Sequence, residues 1–245
     1  MGVKERRTKI LLMLFLLHDT GGGLISFQDQ YQIIFDLSFN LKTKKTLAQM
    51  VKDVVIEEDI ELKAYKLSSK GYLELSLNFP FVRFLTSKWD KKWRILSYEI
   101  PEKKRDLRDK LRRELAGWGL GPWHRSFWIT PHPIIEPLQG LVGGKEEQEY
   151  IQAFEAEHVF GAPEILIEKV WGKVSLEKQY RELFKKWHLT LSQDLDKILK
   201  LKKVVSDYIV VLKNDPGLPE EILGSGWIGF EGFQIFKEIR SILLS

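Results

Sequence analysis

The residues with the most chemical potential do not assemble into a known catalytic pattern. The five histidines (His18, His124, His132, His158 and His188) lack metal-ligand spacing, and no H-E-x-x-H pair occurs. Gly140 to Glu146 (GLVGGKE) resembles a phosphate loop only superficially. Its spacing is one residue short, and Glu146 stands where serine or threonine must hold Mg²⁺. Gly224, Ser225 and Gly226 lack the spacing of a nucleophile elbow. Cysteine is absent, which excludes disulfides and thiolate metal sites and fits a reducing cytoplasm. What remains is charge. Lys42, Lys44, Lys45, Gln49 and Lys52 share one short stretch, and Arg105, Arg108 and Arg112 share another. Lone phosphates can be held by such rows, although a solvated helix face explains the arginines as well. Glu99, in the run SYEIPE, is a strand-end carboxylate of the oxygen type that hard cations prefer.

These residues need elements to position them. Trp93 to Ile100 is apolar with aromatic and β-branched members, which predicts a strand ended by Pro101. Leu107, Leu111, Leu115 and Trp118 recur at helical spacing, and Gly117, Gly119, Gly121 and Pro122 break that helix. Phe127 to Ile129 begins a second strand. Ile134, Ile135 and Leu138 mark a short helix before Gly143 and Gly144. Tyr150 to Val159 is a third strand, with Glu155 and Glu157 on an exposed face. Glu164 to Trp171 is a further apolar element, helix or strand.

Ahead of this lie three expected helices. The first spans about Lys4 to His18. Its basic start and apolar run Ile10 to Leu17 suggest a signal peptide, but His18, Asp19 and Gly21 to Gly23 follow without a cleavage site. The run is also far short of the roughly 20 residues that span a bilayer, so no membrane partner is expected. The second helix starts at Ser26, with Asp29 three residues on. The third starts near Thr43, with Leu47, Met50, Val51, Val54 and Val55 inward and Lys44, Lys45, Gln49 and Lys52 outward. Leu62 to Leu67 and Gly71 to Leu77 would be the strands of a wing, turning at Ser68 to Gly71. Phe79 to Lys88 is a connector whose Phe81, Val82, Phe84 and Leu85 should dock on a neighbour. The last part is helical. Leu176, Tyr180, Leu183, Phe184 and Trp187 form one stripe, and a further helix starts at Ser192.

Trp89, Asp90, Trp93, Arg94, Pro101, Glu102, Arg105, Arg108, Leu111, Arg112, Leu115, Gly119, Gly121, Trp128, Ile129 and Pro131 follow one pattern. It resembles the PaaX family of transcriptional repressors, whose central domain is similar to the CRISPR-adaptation endonuclease subunit. Asp215, Pro216, Leu218, Pro219, Glu221, Leu223, Trp227, Gly229 and Phe236 resemble that family's C-terminal signature, with Gly224, Gly226 and Ile228 departing from it. The resemblance implies an α+β chain in three parts. These are a winged helix over residues 1–88, a ferredoxin-like βαββαβ domain over 89–172 and a helical domain over 173–245. It also implies a cytoplasmic homodimer on a two-fold site in double-stranded DNA, released by a small acyl-CoA-type effector, with no cofactor. Lys42, Lys44, Lys45, Gln49 and Lys52 become the expected DNA contacts. Two copies of Glu99 across a dimer axis are the alternative, a metal-dependent nuclease. A third class is an interaction module that no longer reads DNA. Gln49 and Met50 stand where arginine and leucine are usual, Val54 replaces a glycine, and Glu57, Glu58, Asp59 and Glu61 follow it.

Overall fold

The computed structural model describes residues 1–18, 24–85 and 88–245. The side chains of Phe84 and Leu85 lie outside that description, as do Asp19 and Gly21 to Gly23. The docking expected of Phe84 and Leu85, and the residues after His18 that argue against a signal peptide, therefore fall outside the described residues.

The first helix, α1 (Val3–Leu17), is followed by a two-residue strand β1 (Ile25–Ser26), then α2 (Asp29–Phe35) and α3 (Leu41–Lys52). A hairpin follows, β2 (Ile56–Asp59) and β3 (Ala64–Leu67), and then α4 (Ser69–Ser76). The small sheet has the order β1-β3-β2, all antiparallel. Ser26 thus begins no helix; it pairs with Ala64 in the sheet, and α2 starts at Asp29.

The hairpin is one element earlier than the sequence suggests. Leu73, Leu75 and Leu77 alternate like a strand, yet residues 69–76 are helical. The reason is local. Ser68 is a cap: its hydroxyl oxygen accepts from Gly71 N at 3.1 Å, and its carbonyl accepts from Tyr72 N. Gly71 then turns against Val55, whose carbonyl a Cβ would overlap. Residues 56–59 (IEED) carry three acids and have weak strand propensity. They are held by their partners across the hairpin. Glu57 faces Lys66 and Glu58 faces Tyr65.

A 3₁₀ turn (Pro80–Leu85) leads to β4 (Trp93–Tyr98), α5 (Arg105–Gly117), β5 (Gly121–His124), β6 (Phe127–Thr130), α6 (Ile135–Val142) and β7 (Ile151–Ala156). This second sheet has the order β5-β6-β4-β7, and every neighbouring pair is antiparallel. Phe79, Phe81 and Val82 are buried. The strand β5 hides in the sequence because it opens in the glycine and proline run that ends α5. Gly121 is there for space, since a Cβ would overlap Val170. Residues 163–171 resolve to a helix, α7 (Pro163–Trp171), with proline in its first turn. One face of the sheet carries the core: Leu96, Tyr98 and Trp128 pack on Leu111 and Leu115 of α5 and Leu138 of α6. The other face sets Trp93 and Ile129 against Val170.

The tail is α8 (Lys173–Ser192), α9 (Lys197–Asn214), α10 (Glu220–Leu223) and α11 (Ile228–Leu244). Ser192 ends α8 and starts nothing. Asp196 caps α9 instead, its carboxylate accepting from Ile198 N at 2.7 Å. The buried stripe of α9 is Leu201, Val204, Val205, Tyr208 and Leu212.

The chain divides into two compact units. One holds Met1–Ser76, Gln179–Val211 and Ile228–Ser245; the other holds Leu77–Lys178 and Leu212–Trp227. In the first, Phe15 of α1 stacks on Phe233 at 5.9 Å, and buried Arg240 donates to the carbonyls of Leu16 and His18. Trp187, Tyr208 and Phe236 form its aromatic centre. In the second, buried Arg94 binds Asp90 and Glu155, and fully buried His132 reaches the Pro216 carbonyl at 2.6 Å.

Candidate nucleic-acid interface

The lysine-bearing stretch is α3, and its geometry begins at its first turn. Asn40 caps the helix, its side-chain oxygen accepting from Lys42 N at 3.0 Å and Thr43 N at 3.1 Å. Thr43, Thr46, Leu47 and Met50 are buried on one face. Lys42, Lys44, Lys45, Gln49 and Lys52 are all exposed. Lys42, Lys45, Gln49 and Lys52 follow one another at three- and four-residue steps, so they make a single row. Lys44 stands to one side, its ammonium 5.2 Å from the centre of the Phe39 ring. All five expected DNA contacts thus lie on the solvent face of one helix.

Gln49 is engaged from within. Its amide donates to Asp53 Oδ1 at 2.8 Å. Asp53 Oδ2 accepts from Arg7 of α1 at 2.9 Å, and Arg7 also binds both Glu74 oxygens of α4, at 2.5 and 2.8 Å. The Arg7 hydrogen bond, then that of Gln49, holds the Asp53 carboxyl below the usual carboxylate range. Glu74 raises the Arg7 guanidinium above its ordinary value. Lys70 donates to the Asp53 carbonyl at 2.9 Å. This network ties the end of α3 to α1 and α4. Nothing in the sequence flags it, because Asp53 and Glu74 lie 46 and 67 residues from Arg7.

Val54 does not continue the inward stripe as expected. It is 62% exposed and its φ is +57°, in the left-handed region where glycine is at home. Helix α3 ends at Lys52, and Val54 makes the turn into β2. Its carbonyl and that of Val55 are both near the Ser68 hydroxyl, at 2.7 and 2.9 Å.

The hairpin that follows is acidic. Glu57 pairs with Lys66 at 3.0 Å, and Glu58 accepts from the Tyr65 hydroxyl at 2.8 Å. Burial, with help from Glu58, pushes the Tyr65 hydroxyl up to about 12. Asp59 accepts from Leu62 N at 2.9 Å and shapes the turn. Ile60 and Leu62 stand out at the tip, 81% and 64% exposed. The hairpin therefore offers carboxylates and two apolar side chains, and its only cations are Lys63 and the already paired Lys66.

The second basic row fares differently. On α5, Arg108 pairs with Glu102 at 2.7 Å and Arg105 with Asp109 at 3.6 Å, while Arg112 is exposed. Two of its three arginines are thus partly neutralised by surface ion pairs. Glu99 follows β4 and is exposed; its N–H donates to the Tyr150 carbonyl at 3.0 Å. Among the described residues no group of three histidine, cysteine, aspartate or glutamate side chains is placed to hold a metal ion. Glu99 is one carboxylate against the roughly six oxygens a hard cation wants, so the metal alternative requires further ligands such as a second copy's. No helix of the described residues is long and apolar enough to cross a membrane.

Comparison with known proteins adds family identity. Residues 86–165 match the model of the PaaX protein central Cas2-like domain. Residues 171–245 match the model of the PaaX-like protein C-terminal domain. No curated protein matches the chain. Among solved structures, the uncharacterized protein Rv0674 from Mycobacterium tuberculosis is similar, with a TM-score of 0.51 and 17% identity over 98% of each chain. At that identity the likeness speaks to fold alone. Two adjoining models of one family, covering well over half of the sequence between them, show that the chain belongs to the PaaX family and carries its Cas2-like central domain.

Proposed function

We propose that the chain is a DNA-binding transcription regulator that reads the major groove with α3. The observation that carries this is the lysine row on the solvent face of a capped helix, followed directly by a hairpin. The order α1, β1, α2, α3, β2, β3 supports reading residues 1–88 as a winged helix, in which the third helix enters the groove. The order β4, α5, β5, β6, α6, β7 in an antiparallel sheet supports reading 89–172 as a ferredoxin-like module, with 173–245 as a helical part. Lys42, Lys45 and Lys52 contact phosphates, Lys44 flanks them, and Gln49 reaches bases when it leaves Asp53. The protein works as a homodimeric repressor on a two-fold site. A small acyl-CoA-type effector releases it by favouring a conformer whose reading helices are wrongly spaced for the half-sites.

Selection of genomic fragments with the purified protein tests this reading. A recovered palindrome supports dimeric, sequence-specific binding. Failure to enrich any fragment contradicts it and favours a second reading, a protein-interaction module. The acidic, apolar-tipped hairpin is the observation that favours this alternative, since carboxylates facing DNA repel it.

A further inference from the structure

The hairpin of β2 and β3 carries the wrong charge for DNA and is bare at its tip. Glu57, Glu58, Asp59 and Glu61 stand against Lys63 and Lys66, and Lys66 is already paired with Glu57. Ile60 and Leu62 are 81% and 64% exposed, so the apolar tip covers little of its own chain. Helix α3 is the inverse of this surface. It has four lysines and no acidic residue. Leu41, Lys45, Ala48 and Lys52 are all exposed and recur at i, i+4, i+7 and i+11, so they share one side of the helix. Leu41, at the end of that row, is itself 68% exposed. An acidic hairpin with an apolar tip thus shares its sequence with a basic helix face that ends in an apolar side chain. Within one chain the two do not cover each other, since Ile60 and Leu41 both stay bare.

We propose that a second copy of this chain is the occupant of both surfaces. The hairpin of each protomer lies along α3 of its partner, with Ile60 of one against Leu41 of the other and Glu58 and Glu61 against Lys42 and Lys45. The exchange is reciprocal, so it closes on a two-fold axis after two chains. Its carboxylates take the lysine face that phosphates would otherwise take, so this pairing and DNA exclude each other. It is therefore a different dimer from one seated on a two-fold operator. The exclusion of DNA rests on the regulator reading above. The pairing itself does not, and it is measured without DNA, so either idea can fail alone.

The chain has no cysteine, so single introduced thiols report the contact. Full-length Ile60→Cys is mixed with ¹⁵N-labelled Leu41→Cys under mild oxidation, and the mixed disulfide is identified by mass. It should form roughly fivefold or more faster than the disulfide between Ile60→Cys and ¹⁵N-labelled Ile242→Cys, a comparably exposed site on α11. Glu58→Lys with Glu61→Lys in the Ile60→Cys chain should abolish that preference, because like charges then face each other. Lys42→Glu with Lys45→Glu in the Leu41→Cys chain should restore it. Raising salt to about 0.5 M tests the same charges without any reversal and should shrink the preference. A rate no higher than the Ile242→Cys control overturns the pairing, and so does a preference that persists unchanged in high salt. With thermal unfolding intact, a preference that survives the first reversal, or that the second fails to restore, overturns it as well.

Discussion

Val54 turns α3 into the hairpin with φ at +57°, and a β-branched residue there is strained by about 1–2 kcal/mol. Its side chain faces mostly solvent, so little packing is lost by removing it. Val54→Gly should therefore raise stability by about 1 kcal/mol after allowing for the looser unfolded chain, read as a shifted urea midpoint at constant slope. His132 makes an acid prediction. Burial first, and then nearby Arg83, depress its pKa to about 3, whereas an unfolded histidine titrates near 6.5. The unfolded chain therefore binds the proton first. Stability from this group is complete above pH 6.5 and is lost as the pH falls from there toward 3. Urea unfolding at pH 4.5 against pH 7.5 should show about 2–3 kcal/mol less stability from this source, and His132→Gln should flatten that difference. Neither feature could be read from sequence. The family resemblance marks Val54 only as an odd residue, and its strain belongs to a backbone turn. His132 is one of five histidines until the chain folds around it.

At the scale of elements, α3 and the hairpin set opposite fields within one unit. Lys45 and Lys52 sit in the middle of the exposed face, away from the buried stripe of Leu47 and Met50. Replacing both with alanine should leave folding intact and lower the slope of log affinity against log salt by about two, since each phosphate contact contributes roughly 0.9. The hairpin acts in the other direction. Glu58→Lys with Glu61→Lys should tighten DNA binding and steepen that slope, measured by fluorescence anisotropy with a labelled duplex. Unchanged binding would place the hairpin away from the phosphates. The helices were largely legible, because their apolar stripes recur at helical spacing: α1, α3, α5 and α8 fall within a few residues of expectation. Strands were less so. The acids of β2 are poor strand formers held by Lys66 and Tyr65 opposite, and β5 hides in a glycine-rich break that exists so that α7 can approach. Helix α4 mimicked a strand because its leucines alternate, while burial chose Gly71 and Leu75 one turn apart.

At the scale of the whole chain, the candidate contacts were legible as residue types, and their common exposure on one helix is what the fold adds. The Arg7, Asp53 and Glu74 network was not legible, because it joins three helices far apart in sequence. It also makes a prediction about affinity through order. Arg7→Met should free Gln49 and Asp53 together and loosen the end of α3, weakening DNA binding without changing the salt slope, because no phosphate contact is removed. A changed slope would make Arg7 a contact in its own right. If the lysine face of α3 meets DNA phosphates, the salt dependence of duplex binding will register it. Wild-type affinity should fall steeply and linearly on a log–log scale, and Lys45→Ala with Lys52→Ala should make the line shallower by about two. Identical slopes for the two proteins would contradict it.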